Sequence, residues 1–126
     1  MSTVYVKKDI FGHILENAAL MHPREMLLLL RGKKSKDQIT VTDLLVPPLA
    51  VHGRGFTGFQ AHMLPMDFSL VGTVHSHPSG ALEPSLADLH HSFGRIIMIV
   101  AFPYLSENNA AVFSHGKEKL VLKIID

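Results

Sequence analysis

Val74-His75-Ser76-His77-Pro78, then Ser79-Gly80-Ala81-Leu82-Glu83-Pro84, then Ser85-Leu86-Ala87-Asp88 read in succession as the end of a strand, a turn-rich loop and the start of a helix. Two histidines two positions apart on a strand point to one face, about 6.6 Å apart along the backbone. Their imidazoles can lean together onto one ion at about 2.0–2.1 Å per bond. Pro78 ends the strand, and the loop that reverses the chain can bring the first-turn side chain of Asp88 back over the strand end. Two imidazoles and one carboxylate leave a fourth position for water, the arrangement of catalytic rather than structural zinc. Each piece also has a bland explanation. His-x-His occurs on ordinary strands, and Ser85-x-x-Asp88 is in kind a capping box that would by itself account for both residues. Together, with ten residues between His77 and Asp88, they fit a zinc pattern.

The composition narrows the alternatives. In 126 residues, 47% are apolar and 18% charged, and 12 Lys+Arg against 11 Asp+Glu leave a formal +1. One domain over 1–126 follows, because two would each be too small to build a core easily. The absence of cysteine excludes disulfide scaffolds, thiolate zinc fingers, iron–sulfur clusters and cysteine nucleophiles together. A near-neutral chain lacks the positive excess that phosphate neutralisation favours, so nucleic acid is not an expected partner. Arg31, Lys33, Lys34 and Lys36 read as a solvated turn. The longest apolar run, Ile96 to Phe102, meets Pro103 far short of the roughly 20 residues a bilayer requires. MSTVYVKKDIFGH has no signal-peptide pattern, so the expectation is a cytoplasmic protein with no membrane partner.

Working outward, Thr3 to Val6 reads as a strand. Asp9 is a candidate N-cap for a helix whose face is Ile10, Phe11, Ile14, Leu15, Ala18 and Met21, ending near His22 because of Pro23. Met26 to Leu30 reads as a strand buried on both faces, with Glu25 at its mouth. Further strands are predicted at Ile39 to Val46, Leu70 to His77, Ile96 to Phe102, Ala110 to Ser114 and Leu120 to Ile125. A second helix starts at Ser85, with Leu86, Leu89 and Phe93 at helical spacing and Gly94 as its exit. The sum is α+β, a mixed or largely antiparallel sheet with two helices packed on it.

Glu25, followed by His75-Ser76-His77-Pro78, six residues, Ser85, two residues and Asp88, resembles the complete motif of the JAMM (MPN+) metalloproteases. His22-Pro23-Arg24-Glu25, Met63-Leu64-Pro65 and the strand from Ile96 to Tyr104 extend the resemblance over nearly the whole chain, and its size is similar to stand-alone prokaryotic members, particularly archaeal ones. The resemblance implies a single MPN domain of cytidine-deaminase-like fold, with a curved mixed sheet. It implies one Zn²⁺ held by His75, His77 and Asp88, Glu25 as general acid/base on the activated water, and Ser85 as a donor to the oxyanion. From spacing alone Glu25 would not be preferred to Glu16 or Glu83. The implied reaction is hydrolysis of the amide bond after the C-terminal tail of a ubiquitin-like modifier, with such modifiers and their conjugates as partners and a homodimer left open. The tail would be held as an added strand along a sheet edge. A silent MPN scaffold, and a zinc peptidase acting on other small peptides or sulfur-carrier adducts, are the alternatives. Gly53-Arg54-Gly55-Phe56-Thr57-Gly58 matches G-x-G-x-x-G, but the proline soon after it and the missing acid argue for a glycine-rich loop over a dinucleotide site. The histidines at 13, 22, 52, 62, 90, 91 and 115 read mostly as surface or hydrogen-bonded residues.

Overall fold

A computed structural model describes residues 2–47, 69–91 and 94–126, without the side chains of residues 90 and 91. Its elements are β1 (Thr3–Lys7), α1 (Lys8–Met21), β2 (Leu27–Ser35), β3 (Gln38–Leu45), β4 (Leu70–His77), α2 (Leu86–His91), β5 (Ile96–Ala101), β6 (Ala110–Ser114) and β7 (Lys119–Ile125), with a 3₁₀ turn at Glu107–Asn109. Phe93, the 53–58 glycine segment, Met63-Leu64-Pro65, His52 and His62 lie outside the described residues.

The helix α1 buries Phe11, Ile14 and Ala18, the face that the apolar spacing predicts, and stops at His22, whose N–H still bonds Ala18 O. Its N-cap is Lys7 rather than Asp9. Asp9 instead sits in the first turn, where its carboxylate accepts the Ile10 N–H at 2.9 Å and complements the positive end of the helix. The strand β2 is buried over Leu28–Leu30 as expected, but it continues to Ser35. Pairing with β3 through Ser35↔Gln38 supplies backbone partners that a single strand cannot foresee; Lys33, Lys34 and Lys36 become the exposed end of a hairpin, whereas Arg31, expected in the same solvated turn, lies half-buried within the ladder opposite Asp43.

The strand order is β1-β3-β2-β4-β5-β6-β7, and β7 returns to pair with β1, so the predicted curved mixed sheet closes into a barrel. The mixture is real: β1 is parallel to both β3 and β7, and β4 is parallel to β5, while the other pairs are antiparallel. One face of the sheet, including Val4, Val6, Leu28, Leu30, Val74, Met98 and Val100, packs with Phe11, Ile14 and Ala18 of α1. The opposite face gathers Ile97, Ile99, Ala111 and Phe113 beneath Leu82 and Leu89. The short α2 therefore contributes Leu89 to packing, whereas Leu86, expected on the same buried face, is 68% exposed.

β4 is buried along its whole length because both faces are covered. Since side chains alternate, Thr73, His75 and His77 share the face of their registered partners Ile97, Ile99 and Ala101 on β5, beneath α2 and its loop. Gly72 makes that register attainable: a Cβ there would collide with the carbonyl oxygen and side chain of Ile96. β4 is flanked by β2 and β5, so an extended peptide cannot add to β4 itself as a new strand.

Candidate metal centre

β4 presents His75 and His77 at its C-terminal end, and the loop 78–85 returns the chain so that Asp88, in the first turn of α2, closes over them. Asp88 Oδ2 is 2.7 Å from His77 Nε2, and Asp88 Oδ1 is 3.4 Å from His75 Nδ1. All three are buried, His75 completely. The capping box is present as well. Asp88 N–H donates to Ser85 Oγ at 3.0 Å, and Ser85 N–H donates to Asp88 Oδ2 at 2.9 Å. The structural and chemical readings of Ser85 and Asp88 are thus one arrangement: the reciprocal cap holds the carboxylate where it meets both imidazoles.

Among the described residues, no group of His, Asp and Glu side chains has the open spacing of a metal cage; here the polar atoms contact one another directly. Proton bookkeeping nevertheless shows that the set fits a divalent cation. His77 Nδ1 lies 2.9 Å from the Ala81 carbonyl, which can only accept, so Nδ1 carries a proton. The 2.7 Å contact of Nε2 with a carboxylate then requires a second proton between them. A cation that displaces this second proton meets one imidazole lone pair and one carboxylate oxygen, with the tautomer already fixed by Ala81, the usual outer-shell arrangement of a zinc-binding histidine. His75 Nε2 lies 3.3 Å from Thr73 Oγ1, a hydroxyl that can donate or accept, and Nδ1 is toward Asp88. Two nitrogens and an oxygen are donors suited to zinc.

The electrostatics agree. Burial opposes ionisation of Asp88, but hydrogen bonds from His77 and the Ser85 N–H, with the charges of both histidines, outweigh it and hold the carboxyl at about 2. The hydrogen bond to Asp88 raises the His77 pKa, partly against burial and with help from the Ala81 carbonyl and the charges of Asp88 and Glu25. Glu25, fifty positions before His75 in the chain, is exposed by area, yet it lies close enough to Asp88 and His77 for their charges to act on it. Partial desolvation, then the Asp88 charge, raises its pKa, with His77 opposing. Ser85 is also exposed. Three buried polar groups thus have two exposed ones, an acid and a hydroxyl, beside them.

Sequence reasoning missed what holds Glu25. Ser76 Oγ accepts the N–H of Met26, the residue after Glu25, at 2.6 Å. On the other side, His22 stacks on Phe102 with ring centroids 4.7 Å apart and hydrogen-bonds Tyr104 OH at 3.0 Å. The interleaving of Ser76 between two histidines was a visible signal for the first; nothing in the linear pattern announces the second.

Comparison with known proteins accords with this geometry. The family of prokaryotic homologs of the JAB domain matches residues 7–115. A protein of Haloferax volcanii named as a probable metalloprotease is 35% identical over 130 residues, spanning 98% of this chain and 80% of that one. A JAB1/MPN domain protein from Archaeoglobus fulgidus has 31% identity and a TM-score of 0.69, with 100% of each chain covered. The JAMM structure, a metalloprotease-like zinc site in the proteasome and signalosome, has 30% identity and a TM-score of 0.70, covering 99% of this chain and 100% of that one. The chain belongs to the prokaryotic JAB family: it is a single JAB/MPN domain of the metalloprotease-like, JAMM type. No helix among the described residues is long and apolar enough to cross a membrane.

Proposed function

We propose that this protein is a zinc-dependent amide hydrolase that cuts after the C-terminal tail of a ubiquitin-like modifier, with one zinc per chain held by His75, His77 and Asp88. The observation that carries the reading is the meeting of both histidines with the two oxygens of one buried, capped aspartate, with Glu25 electrostatically coupled to the same group. Zinc there supplies Lewis acidity and lowers the pKa of a coordinated water to about 7.

The chain's own residues account for the proton traffic. Glu25, whose pKa is raised by partial burial and the Asp88 charge, takes the proton of the attacking water as the new C–O bond forms. It returns that proton to the amine nitrogen as the C–N bond breaks. Ser85 accepts the Asp88 N–H through Oγ, and its own hydroxyl proton remains available to donate where negative charge develops on the carbonyl oxygen. The Ala81 carbonyl on His77 and Thr73 Oγ1 on His75 keep the two imidazoles oriented. A cysteine-free chain is also at ease in a reducing cytoplasm.

The test pairs elemental analysis, on protein purified without added zinc or an affinity tag, with cleavage of ubiquitin-like fusions and of an unrelated short peptide. One zinc per chain and cleavage at the modifier tail alone support the reading. Zinc with cleavage of both substrates favours a general small-peptide hydrolase, and no zinc after reconstitution leaves a silent scaffold.

A further inference from the structure

Ser76 lies between the two histidines, and alternation along β4 turns its side chain to the opposite face, where it is fully buried. Its main-chain N–H donates to the Met26 carbonyl at 3.0 Å. In a regular antiparallel ladder a facing, hydrogen-bonded pair exchanges both of its bonds between main-chain groups. Here the return bond is different, because the Met26 N–H goes to the Ser76 hydroxyl at 2.6 Å. β2 begins one residue later, at Leu27↔His75. The hydroxyl therefore satisfies a buried N–H at the point where the chain leaves the ladder, and the next residue toward the N-terminus is Glu25.

We propose that Ser76 is a positioning residue for Glu25. Its hydroxyl ties the main chain of Met26 to the strand that carries His75 and His77, so the acid and the histidines keep one spacing. The inference rests on the reading of Glu25 as the proton carrier, and Ser76 itself touches neither substrate nor the reacting atoms.

The experiment compares the zinc-loaded wild type with Ser76→Ala, Glu25→Gln and the double variant. For Ser76→Ala, zinc stays at one per chain and the Met26 amide exchanges at least about tenfold faster. Turnover falls by about 10²-fold with KM unchanged, the scale of a small misplacement of a reacting group. In the Glu25→Gln background, adding Ser76→Ala costs no further turnover, because the serine acts only through the glutamate. Ser76→Thr keeps the hydroxyl and, should the alanine variant not fold, is expected to retain Met26 protection and turnover near wild type; loss of both with the hydroxyl kept counts against the proposal. Unchanged Met26 exchange, loss of zinc in step with loss of turnover, or an undiminished effect of Ser76→Ala on Glu25→Gln overturns the proposal. If the wild type cleaves no modifier fusion, the functional reading falls, while the Met26 exchange rate still decides whether the hydroxyl holds that segment.

Discussion

Replacing Asp88 with asparagine separates the charge of the hub from its shape. An asparagine oxygen can still accept the Ser85 N–H, and the backbone N–H still reaches Ser85 Oγ, so the helix cap survives. The anion facing the two imidazoles does not. In the folded, metal-stripped protein Asp88 titrates at about 2 instead of 3.8, a difference equivalent to about 2 kcal/mol of stability. For a chain of this size that corresponds to a melting temperature lower by about 8 °C. Because the folded pKa is depressed, this stability is present above the unfolded value and is lost as pH falls through about 2. The raised His77 pKa is the same interaction seen from the imidazole. Its share is full below the ordinary 6.5 and disappears as pH rises through the raised value. The gap between wild type and Asp88→Asn, followed by thermal unfolding of metal-stripped samples, is therefore widest near pH 5–6 and narrows in both directions. Saturating zinc then raises the wild-type melting temperature well above that of the variant, since only the wild type binds it tightly. A gap that persists undiminished at pH 2, or none at pH 5.5, would refute the argument that the carboxylate is held by the imidazoles.

Glu25→Gln is expected to keep one zinc per chain and lose at least about 10²-fold in turnover; full activity in a cleavage assay would remove Glu25 from the mechanism. His77→Ala should lose both zinc and activity, and one tightly held zinc by elemental analysis would mean that the ligand set is wrong. Ser85→Ala should lower turnover by about 10²–10³-fold and, through its cap on the Asp88 N–H, cost about 1 kcal/mol in a denaturant titration; a stability loss without a kinetic one would assign the serine to the cap alone. Gly72→Ala should destabilise the fold by about 3 kcal/mol or more, because the added carbon meets the Ile96 carbonyl in the neighbouring strand. A near-neutral result in the same titration would show that β4 and β5 can separate without cost.

The proposed metal ligands were legible because their signal is local. His75 and His77 are two positions apart on a strand that Pro78 ends, and Asp88 is bound to Ser85 by a three-residue helix rule, so alternation and capping place all three with little help from the rest of the chain. The strands were legible for the same reason, since Met26–Leu30 and Ile96–Ala101 are continuous apolar runs. Where local rules gave the wrong answer, a neighbour decided. β2 outlasts Leu30 because β3 lies beside it, and Leu86 faces outward because the short α2 needs only Leu89 to cover Ile97 and Ile99. Closure of the sheet by the parallel pairing of β1 with β7 joins residues more than a hundred positions apart, and no periodicity encodes such a pairing.

Glu25 marks the same boundary within the site. Its type and its place before an apolar strand are written in the sequence, and a family motif can pick it out. Its surroundings come from tertiary contacts: the Met26 N–H on Ser76 Oγ, His22 against Phe102 and Tyr104, and the charges of Asp88 and His77 acting on its carboxyl. The sequence by itself determined the types of the three candidate donor side chains and their spacing on strand and helix, because these follow from bond lengths and backbone repeats. Only the tertiary structure decided that an acid fifty residues away in the chain lies near enough to Asp88 and His77 for their charges to act on it, because that proximity depends on which strands pair.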